Sequence, residues 1–133
     1  DKFKSIPLVV QDYFKKFYPP KGGIKAIDKS KTNMETVLRA GLRELKEETG
    51  IDSKYNLENG KINLYFKAGD SEWLQGTIQG IYLPPRRGII YFNILVDGDI
   101  EVLKEYGIKE IGKNSTEITS IYGGNKKGLF NFL

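Results

Sequence analysis

The chain has 133 residues, 39% of them hydrophobic and 29% charged, with a formal net charge of +4 and a pI of about 9.1. It contains no cysteine and no histidine, which excludes disulfides, thiolate and imidazole metal ligands, and serine–histidine catalysis. Any catalysis must therefore use carboxylates, lysines, arginines, tyrosines or a hard cation bound by oxygen.

The length predicts one compact domain over residues 1–133, either complete or as a fragment of a larger chain. No apolar run approaches the ~20 residues needed to cross a membrane, and residues 6–10 are too short for the apolar part of a secretory signal. We therefore expect an intracellular, cytoplasmic protein that makes no use of a membrane.

The N-terminal third is rich in lysine. Residues 6–10 predict a short strand, whereas the prolines and glycines of residues 19–23 and the polar stretch at 24–33 predict irregular backbone. Such a basic segment suits an anionic ligand, for example a polyphosphate or a nucleic acid. Its lysines are Lys2, Lys4, Lys15, Lys16, Lys21, Lys25, Lys29 and Lys31, against Asp1, Asp12 and Asp28.

A helix is predicted over residues 34–49. Thr32 or Asn33 can cap its N-terminus, and Gly50 is placed to end it. Its apolar stripe has helical spacing and consists of Met34, Val37, Leu38, Gly41, Leu42 and Leu45.

The rest of the chain predicts a sheet with helices on its faces, an α/β sandwich. The nearly continuous apolar run at residues 89–96 predicts a central strand that is covered on both faces. The other predicted elements are strands at 61–67, 77–83 and 117–122, a turn at 84–88, a short helix at 99–106, and a C-terminal helix that opens within 128–133.

Three acids stand where local physics disfavours them. Glu44, Glu47 and Glu48 share one flank in the last two turns of the predicted helix. Like charges at i and i+4 destabilise a helix by roughly 0.2–0.5 kcal/mol, and carboxylates near a helix C-terminus oppose its dipole. A divalent cation would remove both penalties, whereas the plain alternative is a solvated face with Arg43 and Lys46 as partners.

These residues are part of a longer pattern that resembles the Nudix box. That box reads Gly-x5-Glu-x7-Arg-Glu-aliphatic-x-Glu-Glu-x-Gly-aliphatic. The chain has Glu35, seven residues, and then Arg-Glu-Leu-Lys-Glu-Glu-Thr-Gly-Ile at positions 43–51, so every position from the first glutamate onward matches. The resemblance implies a Nudix-type α/β/α sandwich with a mixed sheet and a catalytic helix-loop.

The resemblance also implies roles for individual residues. Glu44 and Glu48 correspond to metal ligands, and Glu47 to a further ligand beside them. Arg43 corresponds to the residue that orients the catalytic glutamate, and Glu35 to a water-mediated or structural acid.

The first glycine of the box is displaced. Six residues before Glu35 the chain has Lys29, and the nearest glycine in a family-like setting is Gly23, which leaves about six extra residues in the following loop. The family often uses the carbonyl of that glycine as a metal ligand, and Gly23 can supply it if the extra residues bulge outward.

A glutamate from a distant loop is a frequent ligand or base in the family. Residues 116–122 (Thr-Glu-Ile-Thr-Ser-Ile-Tyr) are similar to the segment that carries it, which favours Glu117. The competing candidates are Glu101, Glu105 and Glu110, and all four could instead be surface acids.

By the resemblance, the chain is a Mg²⁺- or Mn²⁺-dependent hydrolase that cleaves a diphosphate linkage in a nucleoside diphosphate joined to another group. Residues 20–22 (Pro-Lys-Gly) resemble the decapping, diadenosine-polyphosphate and diphosphoinositol branches, and the basic N-terminal third favours capped RNA, that is mRNA decapping, as the substrate. Lys21, Arg86 and Arg87 are the candidate phosphate-binding residues. The aromatic residues that could stack on a base, if they are not simply core residues, are Tyr18, Trp73, Tyr82 and Tyr91.

Three alternatives stay open. One is hydrolysis of a dinucleoside polyphosphate or another small nucleotide, and a second is a catalytically silent module that binds nucleotide or RNA. The third is a basic α/β domain outside the family that binds RNA and hydrolyses no diphosphate.

Overall fold

The computed structural model describes residues 8–83, 90–98, 100–111, 113 and 116–123, and the backbone of 131–132. Two helices and two antiparallel sheets make up this part of the chain, in agreement with the predicted α/β class. In chain order the elements are β1 (Leu8–Asp12), β2 (Phe17–Tyr18), a 3-10 turn (Ala26–Asp28), α1 (Asn33–Thr49), β3 (Asp52–Glu58), β4 (Lys61–Lys67), β5 (Leu74–Tyr82), β6 (Tyr91–Val96), α2 (Glu101–Glu110), β7 (Ile118–Gly123) and β8 (Asn131–Phe132).

The smaller sheet has three strands in the order β2-β1-β7, and the larger has five in the order β3-β4-β5-β6-β8. Every strand pairing in the described residues is antiparallel. The predicted mixed sheet is therefore not found there, because hairpin connections and the return of β7 and β8 produce antiparallel neighbours throughout.

Helix α1 confirms the prediction for residues 34–49 and begins one residue earlier. The Thr32 hydroxyl accepts a hydrogen bond from the Glu35 amide at 3.1 Å, so Thr32 is the N-cap. Gly50 ends the helix in the left-handed conformation, with φ of 78°, which glycine adopts without a steric penalty.

The strand β4 has the predicted bounds, and its Leu64 and Phe66 are fully buried. The strand β3 was not predicted, because its sequence, Asp-Ser-Lys-Tyr-Asn-Leu-Glu, is mostly polar. It forms by pairing with β4 over its whole length, from Asp52 opposite Lys67 to Glu58 opposite Lys61.

Strand β6 is buried on one face only, so the prediction of a strand covered on both faces is wrong. Phe92, Ile94 and Val96 are fully buried, while the alternate residues are only partly buried, so one face packs on the core. In the neighbouring strand, Gly76 leaves room for a ring: a Cβ there would lie 2.5 Å from Cε2 of Phe66.

Other predicted elements differ in their ends, among them the strand predicted at 77–83, which is β5 (Leu74–Tyr82), and one differs in its type. Helix α2 runs to Glu110, four residues beyond the predicted end. Glu117 precedes β7 instead of beginning it. The C-terminal helix is wrong at residues 131–132, whose backbone pairs with β6 as a strand; the rest of 128–133, like the predicted turn at 84–88, lies outside the described residues.

The loop at 24–33 contains the 3-10 turn, which was not predicted. The Asp28 carboxylate accepts from the Lys25 amide at 2.8 Å, and this local bond closes the turn. The turn matters for the site, because it buries Asp28 beside α1.

Apolar side chains from both helices and both sheets form one buried cluster. Leu38, Leu42 and Leu45 are the contribution of α1, and Glu44, Glu47 and Glu48 lie on a different flank of the helix. No helix in the described residues has the length and apolarity that crossing a bilayer requires.

Candidate active site

Glu44 and Glu48 lie one turn apart near the end of α1, and both are buried. Their exposed fractions are 9% and 6%, values that acidic residues seldom reach unless they are paired. Glu47 lies on the adjoining flank, and its side chain is 36% exposed. The structure therefore brings together the three glutamates that the sequence singled out.

Arg43 connects this cluster. Its Nη1 donates to Oε2 of Glu44 at 2.9 Å and to Oε2 of Glu47 at 3.1 Å. Its Nη2 donates to the carbonyl oxygen of Gly23 at 2.7 Å. The guanidinium thus fixes two carboxylates and one backbone carbonyl at the same time, which suits a positioning role for Arg43.

Asp28 is the site residue that the sequence reasoning missed. Its carboxylate accepts from Nη2 of Arg43 at 2.9 Å and from Nε at 3.0 Å, and the residue is 3% exposed. These bonds hold the pKa of the Asp28 carboxyl below its usual range. The available signal was an aspartate among three lysines at positions 25–31, but the partner lies fifteen residues away in the sequence.

The segment Lys21–Gly23 lies against this flank of α1. The Lys21 amide donates to Oε1 of Glu48 at 3.1 Å. The α-carbon of Gly22 is so close to Glu44 that a Cβ would overlap the Glu44 carboxyl group, whereas a Cβ at Gly23 would meet nothing within 4 Å. Gly22 is therefore the glycine that needs to lack a side chain, and Gly23 contributes its carbonyl.

The surroundings of Glu44 and Glu48 disfavour the charged form of both carboxylates, which a bound cation would stabilise. Burial, together with the charges of Glu44 and Glu117, raises the pKa of Glu48 to about 8. Burial also raises the pKa of Glu44, and the nearby Glu47 adds to that effect. A positive charge placed among these oxygens would reverse both shifts.

Glu117 lies on the same side of the molecule as the cluster. Its charge contributes to the raised pKa of Glu48 and to that of Tyr18, which burial and nearby acids bring to about 12. The Glu117 residue is exposed, and its carbonyl accepts from the Tyr13 amide at 2.9 Å.

The competing glutamates lie on α2. Glu101 pairs with Lys104 at 3.6 Å, Glu110 pairs with Lys113 at 3.1 Å, and Glu105 is exposed. Glu35 is also separate from the cluster, because it lies nine residues, or about 13 Å of helix, before Glu44. It accepts a 2.6 Å hydrogen bond from the Tyr55 hydroxyl and so ties α1 to β3.

The remaining candidates are placed as follows. Lys21 Nζ lies 4.8 Å from the centroid of the Tyr18 ring, beside the cluster. Tyr82 and Tyr91 contact each other, with ring centroids 5.9 Å apart, and Trp73 lies beneath two lysines of the larger sheet. Arg86 and Arg87 lie outside the described residues.

Across the described part of the chain, no three acidic side chains are grouped closely enough to hold a metal ion as they stand. Nη1 of Arg43 lies between the carboxylates of Glu44 and Glu47, and both carboxylates are ion-paired with this guanidinium.

Comparison with models of protein families, with curated proteins and with solved structures gave no match to this chain.

Proposed function

We propose that the chain is a Nudix-type hydrolase that uses Mg²⁺ or Mn²⁺ to cleave a diphosphate linkage in a nucleoside diphosphate joined to another group. The observation that carries this proposal is the burial of Glu44 and Glu48, one turn apart, at the positions of the box where metal ligands are expected. Burying two neighbouring carboxylates is unfavourable without a cation. Their placement therefore supports a role for Glu44 and Glu48 in binding one.

The donor set fits a hard cation. Glu44 and Glu48 would hold it, with Glu47, Glu117 and the Gly23 carbonyl as the further oxygen donors, and Mg²⁺ favours a few carboxylates together with water and phosphate oxygens. When bound, the cation would offset the charge of the diphosphate and lower the pKa of the attacking water.

The chain's own residues position these groups. Asp28 anchors Arg43, and Arg43 in turn holds the Glu44 and Glu47 carboxylates. The Lys21 amide fixes one oxygen of Glu48. A carboxylate of this cluster is the group available to accept the proton of the attacking water, since the chain has no histidine. The Lys21 side chain, whose ammonium lies 4.8 Å from the centroid of the Tyr18 ring, would contact phosphate.

Capped RNA is the substrate that we favour, with dinucleoside polyphosphates as the alternative. The basic composition, the Pro-Lys-Gly opening and Lys21 beside the cluster support a polyanionic substrate. The test is a product assay with Mg²⁺ and with Mn²⁺ on capped RNA, diadenosine polyphosphates, nucleoside triphosphates and diphosphoinositols.

Glu48→Gln is the critical variant in that assay. It removes the charge but keeps the shape, so we expect a loss of turnover of about 10²-fold or more with the fold retained. Glu105→Gln, on the exposed face of α2, is the matched control and should retain full activity. An active Glu48→Gln protein would overturn the proposed site.

A second candidate is a nucleotide-binding module without turnover. The contact of Arg43 with both Glu44 and Glu47 favours it, because an arginine can replace a cation as the partner of buried carboxylates. No cleavage of any substrate by the wild type, together with measurable nucleotide binding, would establish this function instead.

A further inference from the structure

A basic and aromatic surface lies on the outer face of the β3–β4 hairpin, away from the acidic cluster. We call it the Trp73 platform, and it consists of Lys54, Tyr65, Lys67 and Trp73. Lys54 Nζ lies 4.3 Å from the centroid of the Trp73 ring and 5.5 Å from that of Tyr65. Lys67 Nζ lies 5.0 Å from the Trp73 centroid.

The register of the sheet explains why these side chains meet. Lys54 of β3 stands directly opposite Tyr65 of β4, so the two project from the same face. Leu64 and Phe66, which alternate with Tyr65 and Lys67 along β4, are buried in the core. Lys54 is exposed, and the other three platform residues are partly buried, so the platform is open to solvent.

A groove lies beside the acidic cluster, at the start of β3. It has a volume of about 480 Å³, and it runs between α1 and the start of β3 with Arg43, Glu47 and Asp52 among its lining residues. Asp52 stands directly opposite Lys67 across the β3–β4 pair. The β3 end of the groove is therefore one strand pair away from Lys67 of the platform.

We propose that the Trp73 platform binds single-stranded RNA, with a base stacked on Trp73 and the flanking phosphates on Lys54 and Lys67. The RNA body would enter or leave the acidic cluster through the groove beside α1. The groove part of this inference rests on the proposed function, whereas RNA binding at the platform does not.

The chemistry of the platform fits this ligand. Aromatic faces accept any base, and interleaved ammonium groups neutralise the backbone, which is how proteins hold single strands without sequence preference. A base stacked on an aromatic ring contributes more interaction free energy than an exposed ammonium over the same ring. A base can therefore displace a lysine from Trp73, and the lysine can then contact a phosphate. The acids of the β4–β5 turn, Asp70 and Glu72, oppose binding, and Glu72→Gln should strengthen it.

Trp73 is the sole tryptophan of the chain, so its fluorescence reports on this surface alone. Titration of the full chain with a short single-stranded RNA, in a chelator that prevents turnover, should quench Trp73. The same strand annealed into a duplex should quench it much less, because its bases are already stacked. Binding of the single strand without any change in Trp73 emission would overturn the proposal.

Variants measured by anisotropy of a labelled RNA give the second test. Trp73→Ala should weaken binding roughly tenfold, and Trp73→Phe, which keeps a stacking ring, should weaken it less. The double variant Lys54→Ala/Lys67→Ala should reduce the salt-dependence slope by about 1.4, since each phosphate contact on a single strand contributes ~0.7. Lys61→Ala, on the same hairpin, is the matched single-charge control for Lys54→Ala, and equal losses for these two would contradict the platform.

Activity separates this inference from the proposed function. The platform variants should raise KM for capped RNA and leave hydrolysis of a diadenosine polyphosphate unchanged. If no substrate is hydrolysed, the proposed function fails, while quenching and anisotropy still decide whether RNA binds at Trp73. An equal loss of activity on both substrates would instead refute the RNA path.

Discussion

Arg43 and Asp28 form a two-point ion pair that joins the C-terminal half of α1 to the 3-10 turn at Ala26–Asp28. Nη2 and Nε of Arg43 donate to the carboxylate at 2.9 and 3.0 Å, and the Asp28 side chain is 4% exposed. Because the same guanidinium also holds Glu44 and Glu47, the turn determines how the acidic cluster is arranged.

Asp28→Asn should therefore weaken both the fold and the site. The loss of a partly buried, charge-assisted pair should lower the free energy of unfolding by about 2 kcal/mol at neutral pH, as measured by urea denaturation. Asp70→Asn, at an exposed turn position, is the matched control and should change it by less than ~0.5 kcal/mol.

The pH dependence of that difference has a definite sign. Arg43 lowers the pKa of Asp28 in the folded protein, so the pair stabilises the fold fully above the unfolded value of about 3.9. This contribution is lost as the pH falls through the folded pKa. The gap between wild type and Asp28→Asn should thus shrink below about pH 4, and a gap that stayed constant in acid would show that the carboxylate charge is not responsible.

Gly22→Ala should inactivate the site, whereas Gly23→Ala should not. A Cβ at position 22 would overlap the Glu44 carboxyl group and displace it from Arg43, and a Cβ at position 23 would meet nothing within 4 Å. We expect a loss of turnover of about 10²-fold or more for Gly22→Ala, from the displaced carboxylate. Circular dichroism should confirm an intact fold in both variants, and equal activities would contradict the close approach.

Gly107→Ala should destabilise the protein although alanine favours helices. The added Cβ would lie 2.5 Å from the carbonyl oxygen of Thr49 and 2.8 Å from Cδ1 of Ile121, so α2 would have to move away from the end of α1. Overpacking of this kind costs about 1–3 kcal/mol, which exceeds the gain of about 1 kcal/mol in helix propensity. Thermal unfolding measures the net effect, and Gly80→Ala, with no neighbour within 4 Å of its Cβ, is the comparison.

Removal of divalent metal should lower the stability of the wild type in a way that depends on Glu48. A cation at a hundredfold excess over its Kd should stabilise the folded chain by about 2.7 kcal/mol relative to the chelated protein. Glu48→Gln should lose most of this increment in a thermal shift experiment with and without MgCl₂. If the increment were the same in both proteins, the cation would bind elsewhere.

Local patterns predicted the helix that carries the site. The cap at Thr32, the apolar stripe and Gly50 all act within a few residues, and α1 therefore has the expected bounds within one residue. The alternation of β4 is equally local. The spacing of Glu44, Glu47 and Glu48 on one flank follows from the helix alone.

The parts that could not be predicted depend on distant partners. The polar strand β3 exists because β4 pairs with it, and residues 131–132 form a strand because β6 offers its edge. Asp28 enters the site through Arg43, and Gly22 rather than Gly23 meets Glu44, because of how the loop crosses the helix. No periodicity in the sequence encodes such a crossing.

The two arginines of α1 also determine how readily a protease reaches the loop that precedes the helix. Arg39 donates to the carbonyls of Ile27 and Asp28, and Arg43 donates to that of Gly23, so the backbone is tethered while its lysine side chains stay exposed. Trypsin must bind an extended, detached peptide, and each lysine from 21 to 31 is a potential cleavage point. The rate of tryptic cleavage in this loop therefore reports whether the hydrogen bonds from Arg39 and Arg43 to its carbonyls are formed, and it can be measured without any substrate.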